Sequence, residues 1–267
     1  MDMRNNGGPG LFTKIFSIAA IIFLIAPLLV IVLASFSPTA LVTFPPRGFS
    51  LAWYRNIISS SGNFISGLAD SLEVGIAATA IDMLIAVPAA LAVTRYRVKL
   101  QKPLVVFFAS PMYIPSITFA LVLLQLFAMM GRVPAIIRIF VGHLIIIMPY
   151  IFRNTYSMLT TYDWTLEEAA ASLGASPHRT TFDITLPLIK SGIVSGAILS
   201  FLYSFDEAVL ASMLNSPKFI TLPVRIMNYM EFAFDPTLAA ISTLLILFSL
   251  VIVAIIEKVV GLNMFLK

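Results

Sequence analysis

Long apolar runs dominate this chain, and its polar residues gather in the stretches between them. Three runs, Ile15 to Phe36, Pro103 to Met130 and Thr237 to Ile256, contain no charged residue and are long enough to cross a bilayer as helices. Val74 to Thr94 is a fourth with one internal acid, Asp82, and Ser191 to Leu214 is a fifth with Asp206 and Glu207 near its far end. The run from Pro134 to Phe152 contains Arg138 and His143, and its uninterrupted stretch of about 14 residues is short for a span. Counting it gives six spans. The expected fold class is therefore an all-α integral membrane protein, with residues 1–267 forming one transmembrane domain.

Composition supports that reading. The chain is 59% hydrophobic and 11% charged with a mean hydropathy of +0.97, whereas soluble domains carry about 25% charged residues. Most of its 267 residues are used by the spans, so little is left for a separate soluble domain. There is no cysteine, which removes disulfides, thiol chemistry and cysteine-ligated metals. The formal net charge of +4 does not indicate nucleic acid, because the basic residues are scattered among the loops.

Their placement reports topology. With the N-terminus inside, Arg4, Lys14, Arg95, Arg97, Lys99, Lys102, Arg153, Arg179, Lys190, Lys258 and Lys267 fall on the cytoplasmic side, 11 of the 17 Lys and Arg. Arg47, Arg55, Arg132, Arg138, Lys218 and Arg225 fall outside. This asymmetry follows the positive-inside rule and places both termini in the cytoplasm. The first run exceeds a signal-peptide core in length and is read as a retained helix. In the first outer loop, Pro45, Pro46 and Gly48 break the chain, and Ser50 is placed to cap a short helix through Trp53 to Ile57. An amphipathic helix on the membrane surface, with Trp53 and Tyr54 at the lipid interface, accounts for it.

The stretch EEAAASLGASPHRTTFDITLPLIK, residues 167–190, is polar and heavily punctuated, and this topology places it in the cytoplasm. Thr165 and Glu168 have capping-box spacing. A short helix through Ala169, Ala170 and Ala171 is expected to end at Gly174 in the left-handed conformation. Ser176 and Pro177 read as the cap and first position of another helix, and Pro187 interrupts the approach to the fifth span. Local grammar alone leaves two readings open, a docking element and an ordinary connector.

The spacing Glu168, Ala169, Ala170, then Gly174, then Ile184, Leu186 and Pro187 resembles the cytoplasmic motif of permease subunits of ATP-binding-cassette importers. Within that family the stretches FPPRGFSLAWYRNI, SLGASPHRTTFDITLPLI, SFDEAVLASML and LPVRIMNYM are most similar to the second permease of spermidine/putrescine importers. The resemblance implies the type I importer permease fold, with loop 163–190 as a coupling helix seated in a groove of a cytoplasmic ATPase subunit. It also implies a second permease, two copies of the ATPase subunit and an external substrate-binding protein as partners. ATP and Mg would be bound by the ATPase subunits. No GxxxxGK[ST] run occurs here, so this chain is expected to bind no cofactor and catalyse no hydrolysis of its own.

Acids within spans require a cavity, a partner or the bundle interior. Asp206 and Glu207 lie where substrate would arrive, and with Tyr203 they form a candidate pathway for an ammonium-bearing solute. The competing reading for either acid is pairing with the other permease or capping of a broken helix. For Asp82 a hydrogen bond to Ser, Thr or backbone is favoured over a place in the pathway. Lone His143 is read as packed or hydrogen-bonded, and no metal site is expected. Two other classes fit less well. A lipid-modifying enzyme lacks a catalytic constellation, with His143 and His178 far apart, and an ion-coupled transporter leaves the docking loop unexplained.

Overall fold

A computed structural model of the chain describes residues 10–40, 48–59, 62–96, 99–233 and 235–260, with side chains described as far as residue 254. Pro45, Pro46 and Arg47 of the first loop lie outside the described residues, as do Arg4, Arg97 and Lys267 of the topology count. The elements in order are α1 (Leu11–Ala34), α2 (Ala52–Ser59), α3 (Phe64–Arg95), α4 (Gln101–Ala109), a 3₁₀ turn (Ser110–Tyr113), α5 (Ser116–Met129) and α6 (Ala135–Thr160). They are followed by α7 (Thr165–Ser172), α8 (Pro177–Thr180), a π segment (Thr181–Thr185), α9 (Leu186–Asp206), α10 (Val209–Leu214), α11 (Leu222–Phe232) and α12 (Thr237–Val260). Among the described residues, five helical stretches are long and apolar enough to cross a membrane, or six if the bent pair α4 to α5 counts as one.

The chain divides into two compact units, Met1–Gly62 with Tyr229–Leu250, and Asn63–Asn228 with Val251–Lys267. In the first unit the end of α1 is tied to α2. The Trp53 indole donates to the Ser37 carbonyl at 2.7 Å, and the Tyr54 hydroxyl lies 2.7 Å from the Ser35 hydroxyl. These two aromatic residues thus anchor α2 to protein polar groups. Ser50 Oγ accepts the Ala52 amide at 3.1 Å, in keeping with its expected capping role.

The second unit is organised around α3, α6 and α9, which pack pairwise. The α6–α9 contact is antiparallel and close because α9 presents glycine to it. A Cβ at Gly196 would lie 2.8 Å from the Ile151 Cα, so only glycine permits this separation. One step along, the Ser200 hydroxyl donates to the Ile147 carbonyl at 3.0 Å, and next Ser204 Oγ meets His143 Nδ1 at 2.7 Å. His143 is hydrogen-bonded as expected.

Four span boundaries differ from the sequence reading. The uncharged run Pro103 to Met130 is not one helix, since the α4 side and α5 are bent by 98°. Proline explains this: Pro111 lies at the start of the 3₁₀ turn, directly after Ser110, and Ile114, preceding Pro115, is held extended at φ −93°, ψ 125°. The run that looked too short is a 26-residue helix, α6. Arg138 does not end it, because its guanidinium donates to the Asn215 carbonyl at 3.2 Å. Helix α3 begins ten residues before Val74, with Asp70 accepting the Ile220 amide at 3.1 Å. Finally, the fifth span stops at Asp206, where Glu207 turns extended at ψ 107°, and the remainder forms the separate helix α10.

Candidate functional site

The loop after α6 folds as two short helices meeting at a glycine. Helix α7 starts at Thr165, but the expected capping box is not formed. Asp163 Oδ1 accepts the Thr165 amide at 3.1 Å and the Thr165 hydroxyl at 2.8 Å. A carboxylate two residues upstream reaches the first free amide of the helix and so displaces Thr165 from the cap. Thr165, by both bonds, holds the Asp163 carboxyl below the usual carboxylate range. At the other end Gly174 has φ +85°. Its amide donates to the Ala171 carbonyl at 3.0 Å, and the Ala175 amide donates to Ala170 at 3.0 Å. This pair of bonds is a Schellman motif, and its left-handed residue is the one position where glycine is needed. Ser176 Oγ then accepts the Arg179 amide at 3.4 Å, with Pro177 at the first helical position.

Of the motif residues, Glu168, Ala169, Gly174 and Pro187 are exposed, whereas Ala170, Ile184 and Leu186 are half-buried. The Glu168 carboxylate has no partner among the described residues. Its neighbour Glu167, which the sequence reading passed over, is buried and paired with Arg95 at 2.8 Å. Adjacent helical positions point about 100° apart, so when one acid of the pair faces solvent the other turns inward.

Asp206, Glu207 and Tyr203 come together at the far end of α9. With Tyr150 of α6, Leu199 and Leu202 they line a groove of about 320 Å³. The Tyr150 and Tyr203 rings are in contact, tilted by 35° with centroids 5.1 Å apart. Tyr150 was missed because its sequence context is a plain apolar run; only the α6–α9 pairing brings it here. Asp206 is exposed in the groove, but Glu207 is 8% exposed and engaged. Its Oε1 accepts the Leu210 amide at 2.9 Å, and Ser116 Oγ lies 3.5 Å from its Oε2. Glu207 therefore caps α10, whose Leu210, Ala211 and Leu214 are buried against α5 and α6.

Asp82 is not part of this groove. It sits on α3 in one stripe with Ala78 and Ala86, which belong to two separate apolar clusters, and it is fully buried. The hydrogen bond expected for it is absent. Among the described residues neither carboxyl oxygen has a hydrogen-bond partner, nor does Thr79 Oγ1 one turn away. Among the described residues no cluster of three or more His, Asp or Glu is suited to a metal ion.

The fold is thus an all-helical membrane domain in which a broken span lines a groove and a two-helix loop follows α6. Residues 82–263 match the family of inner membrane components of binding-protein-dependent transport systems. The chain belongs to that family and is a permease subunit of an ATP-binding-cassette importer, a multi-pass inner-membrane protein. It is 30% identical over 231 residues to the putrescine transport system permease PotI of Escherichia coli K12, covering 84% of this chain and 82% of that one. With the spermidine/putrescine permease PotC of the same organism the identity is 29%, covering 89% of each chain. It is also 31% identical, over 91% of each chain, to a Salmonella paratyphi A protein provisionally named 2-aminoethylphosphonate transport system permease PhnV. Its fold is that of a bacterial ATP-binding-cassette transporter involved in alginate import, at a TM-score of 0.68, 17% identity, and coverage of 95% and 99% of the two chains. The MetNI methionine transporter shares the fold at a TM-score of 0.64 and 15% identity, over 74% of this chain and 94% of that one.

Proposed function

We propose that this permease forms half of the translocation pathway of a polyamine importer and that Asp206 is its cation-selecting group. The observation that carries the reading is the exposed Asp206 carboxylate at the break after α9, in one groove with Tyr203 and Tyr150. A carboxylate beside two tyrosine faces attracts an ammonium group by charge and by cation–π contact. Both termini are cytoplasmic in this arrangement, so the α9 break faces the side where a substrate-binding protein delivers its load. Loop 163–190 faces the ATPase. Two ATPase subunits, which hold the ATP and Mg, and a second permease complete the assembly. Glu168, Ala169, Ala170 and Gly174 shape the docking surface, with Ile184, Leu186 and Pro187 joining it to α9.

One observation favours a zwitterionic solute instead. Arg153 of α6 lines two open cavities, and among the described residues its one hydrogen bond is to Met112 Sδ, at 3.6 Å. Among the described residues no acid is within ion-pair reach of it. In the antiparallel register Arg153 stands level with residue 194, roughly 18 Å along the helices from Asp206 at 1.5 Å per residue. A polyamine moving inward would meet an uncompensated cation there, whereas an aminophosphonate or gamma-aminobutyrate would find a partner for its anionic end.

The test is ATP-driven uptake of labelled spermidine into proteoliposomes holding this chain and its co-purifying partners. Unlabelled putrescine, gamma-aminobutyrate and aminoethylphosphonate serve as competitors. Uptake blocked only by putrescine is the expected result. Absence of spermidine uptake, with ATPase activity stimulated by a zwitterion and its binding protein, selects the second reading.

A further inference from the structure

At the carboxylate of Glu167, side chains of three segments meet: α7, the end of α3 and the π segment before α9. From the last turn of α3, Arg95 places one guanidinium nitrogen 2.8 Å from Glu167 Oε2 and donates with the other to Thr181 Oγ1 at 3.3 Å. From the end of the π segment, the Thr185 hydroxyl donates to Glu167 Oε1 at 2.5 Å. The Tyr162 hydroxyl lies 3.4 Å from the same Thr185 oxygen. Since the Thr185 proton is committed to the carboxylate, Tyr162 is the donor in that contact. The Glu167 side chain is 8% exposed and that of Arg95 29%, so this pair is held largely out of water.

The π segment explains how Thr185 reaches the acid. The Leu186 amide donates to the Thr181 carbonyl, a five-residue step immediately before Pro187. A widened turn gives the proline ring the room that a regular α turn would deny it. Thr185 is fully buried there, facing α7. The backbone of the loop is thus arranged so that α7 is joined by side chains both to the end of α3 and to the start of α9.

We propose that Glu167 is a positioning residue for energy coupling: through Arg95 and Thr185 it makes α7 move as one body with α3 and α9. The exposed acid, Glu168, is left free for the partner surface, and the buried acid carries displacement of that surface into the two helices. One of these, α9, bears Asp206 at its other end. This inference rests on the reading of loop 163–190 as the ATPase docking site.

The test uses the full importer complex in proteoliposomes, measuring ATPase co-purification, ATP hydrolysis and solute taken up per ATP. Glu167→Gln is expected to leave the ATPase bound and hydrolysing, while uptake per ATP falls about tenfold, within the range typical of coupling between sites. Arg95→Glu alone is expected to show a similar loss, and the double exchange Arg95→Glu with Glu167→Arg to recover most of it. Uptake per ATP unchanged in Glu167→Gln, or a double exchange as defective as its singles in an assembled complex, would overturn the proposal. If Glu167→Gln fails to assemble, Thr185→Val decides: it retains the ion pair, is expected to lose about threefold in coupling, and contradicts the proposal if it loses none. Failure of the docking reading looks different. There, Glu168→Arg leaves ATPase co-purification intact, whatever Glu167 does.

Discussion

Two pairs of adjacent acids stand at the opposite ends of one helical path, Glu167 with Glu168 before α9 and Asp206 with Glu207 after it. Each pair divides in the same manner. One member is buried and engaged within the chain, Glu167 with Arg95 and Thr185, Glu207 with the Leu210 amide. The other member, Glu168 or Asp206, is exposed. The partners differ in kind, and that difference is instructive. At the loop end the buried acid joins three segments through side chains, which can shift together. At the groove end it caps a short helix through a backbone amide, which fixes the break where the exposed acid stands. A doublet of acids can therefore supply a site and its support from consecutive residues.

The comparison fails most visibly if Glu207 is not structural. Glu207→Ala leaves the buried Leu210 amide without an acceptor and should destabilise the chain by about 1–3 kcal/mol, read as a lowered midpoint of thermal unfolding in detergent. Glu207→Gln keeps an acceptor and should lose much less. At the loop end, Gly174→Val forces a β-branched residue to φ +85°, a strain of about 1–3 kcal/mol. Reduced co-purification of the ATPase, with the spans still assembled, is the expected readout.

Asp82 sharpens the contrast, because it is buried like Glu167 and Glu207 yet has no hydrogen-bond partner among the described residues. Asp82→Asn removes a carboxyl without a partner and should raise stability by about 1–2 kcal/mol, with uptake unchanged since Asp82 lies off the groove. A drop in stability would mean that the acid has a partner after all. The smallest effect concerns Asp163. Its carboxyl titrates below the ordinary range because it is hydrogen-bonded in the folded loop, so its support of α7 is present at neutral pH and fades as pH falls through that lowered value. Faster hydrogen exchange of the Thr165 amide in Asp163→Ala at neutral pH is expected, with the difference from the parent shrinking in acid.

Much of this was legible in the sequence. Apolar runs located the membrane segments, and Gly174, Ser176 and Pro177 marked the two-helix loop by chemistry that depends only on near neighbours. The misreadings arose where distant residues decide. Pro111 and Pro115 bend a run that composition alone presents as one span. Arg138 looked like an interruption until Asn215 received it. Thr165 with Glu168 satisfied a capping pattern that Asp163 pre-empts. Glu167 was overlooked because its meaning lies in Arg95, 72 positions earlier in the chain, and Tyr150 because α9 supplies the other half of its groove. Hydropathy reports which residues leave water and is silent on what they meet there.

The central claim is that the exposed acid of the groove selects the substrate and the buried one only supports it. The direct test is spermidine uptake by Asp206→Asn and Glu207→Gln complexes, each with ATP hydrolysis measured alongside. The account predicts a loss of about tenfold in uptake, equivalent to about 1.4 kcal/mol, for Asp206→Asn with unfolding temperature and ATPase retained, and a much smaller loss for Glu207→Gln. Undiminished uptake by Asp206→Asn, or the larger loss falling on Glu207→Gln at unchanged stability, would contradict it.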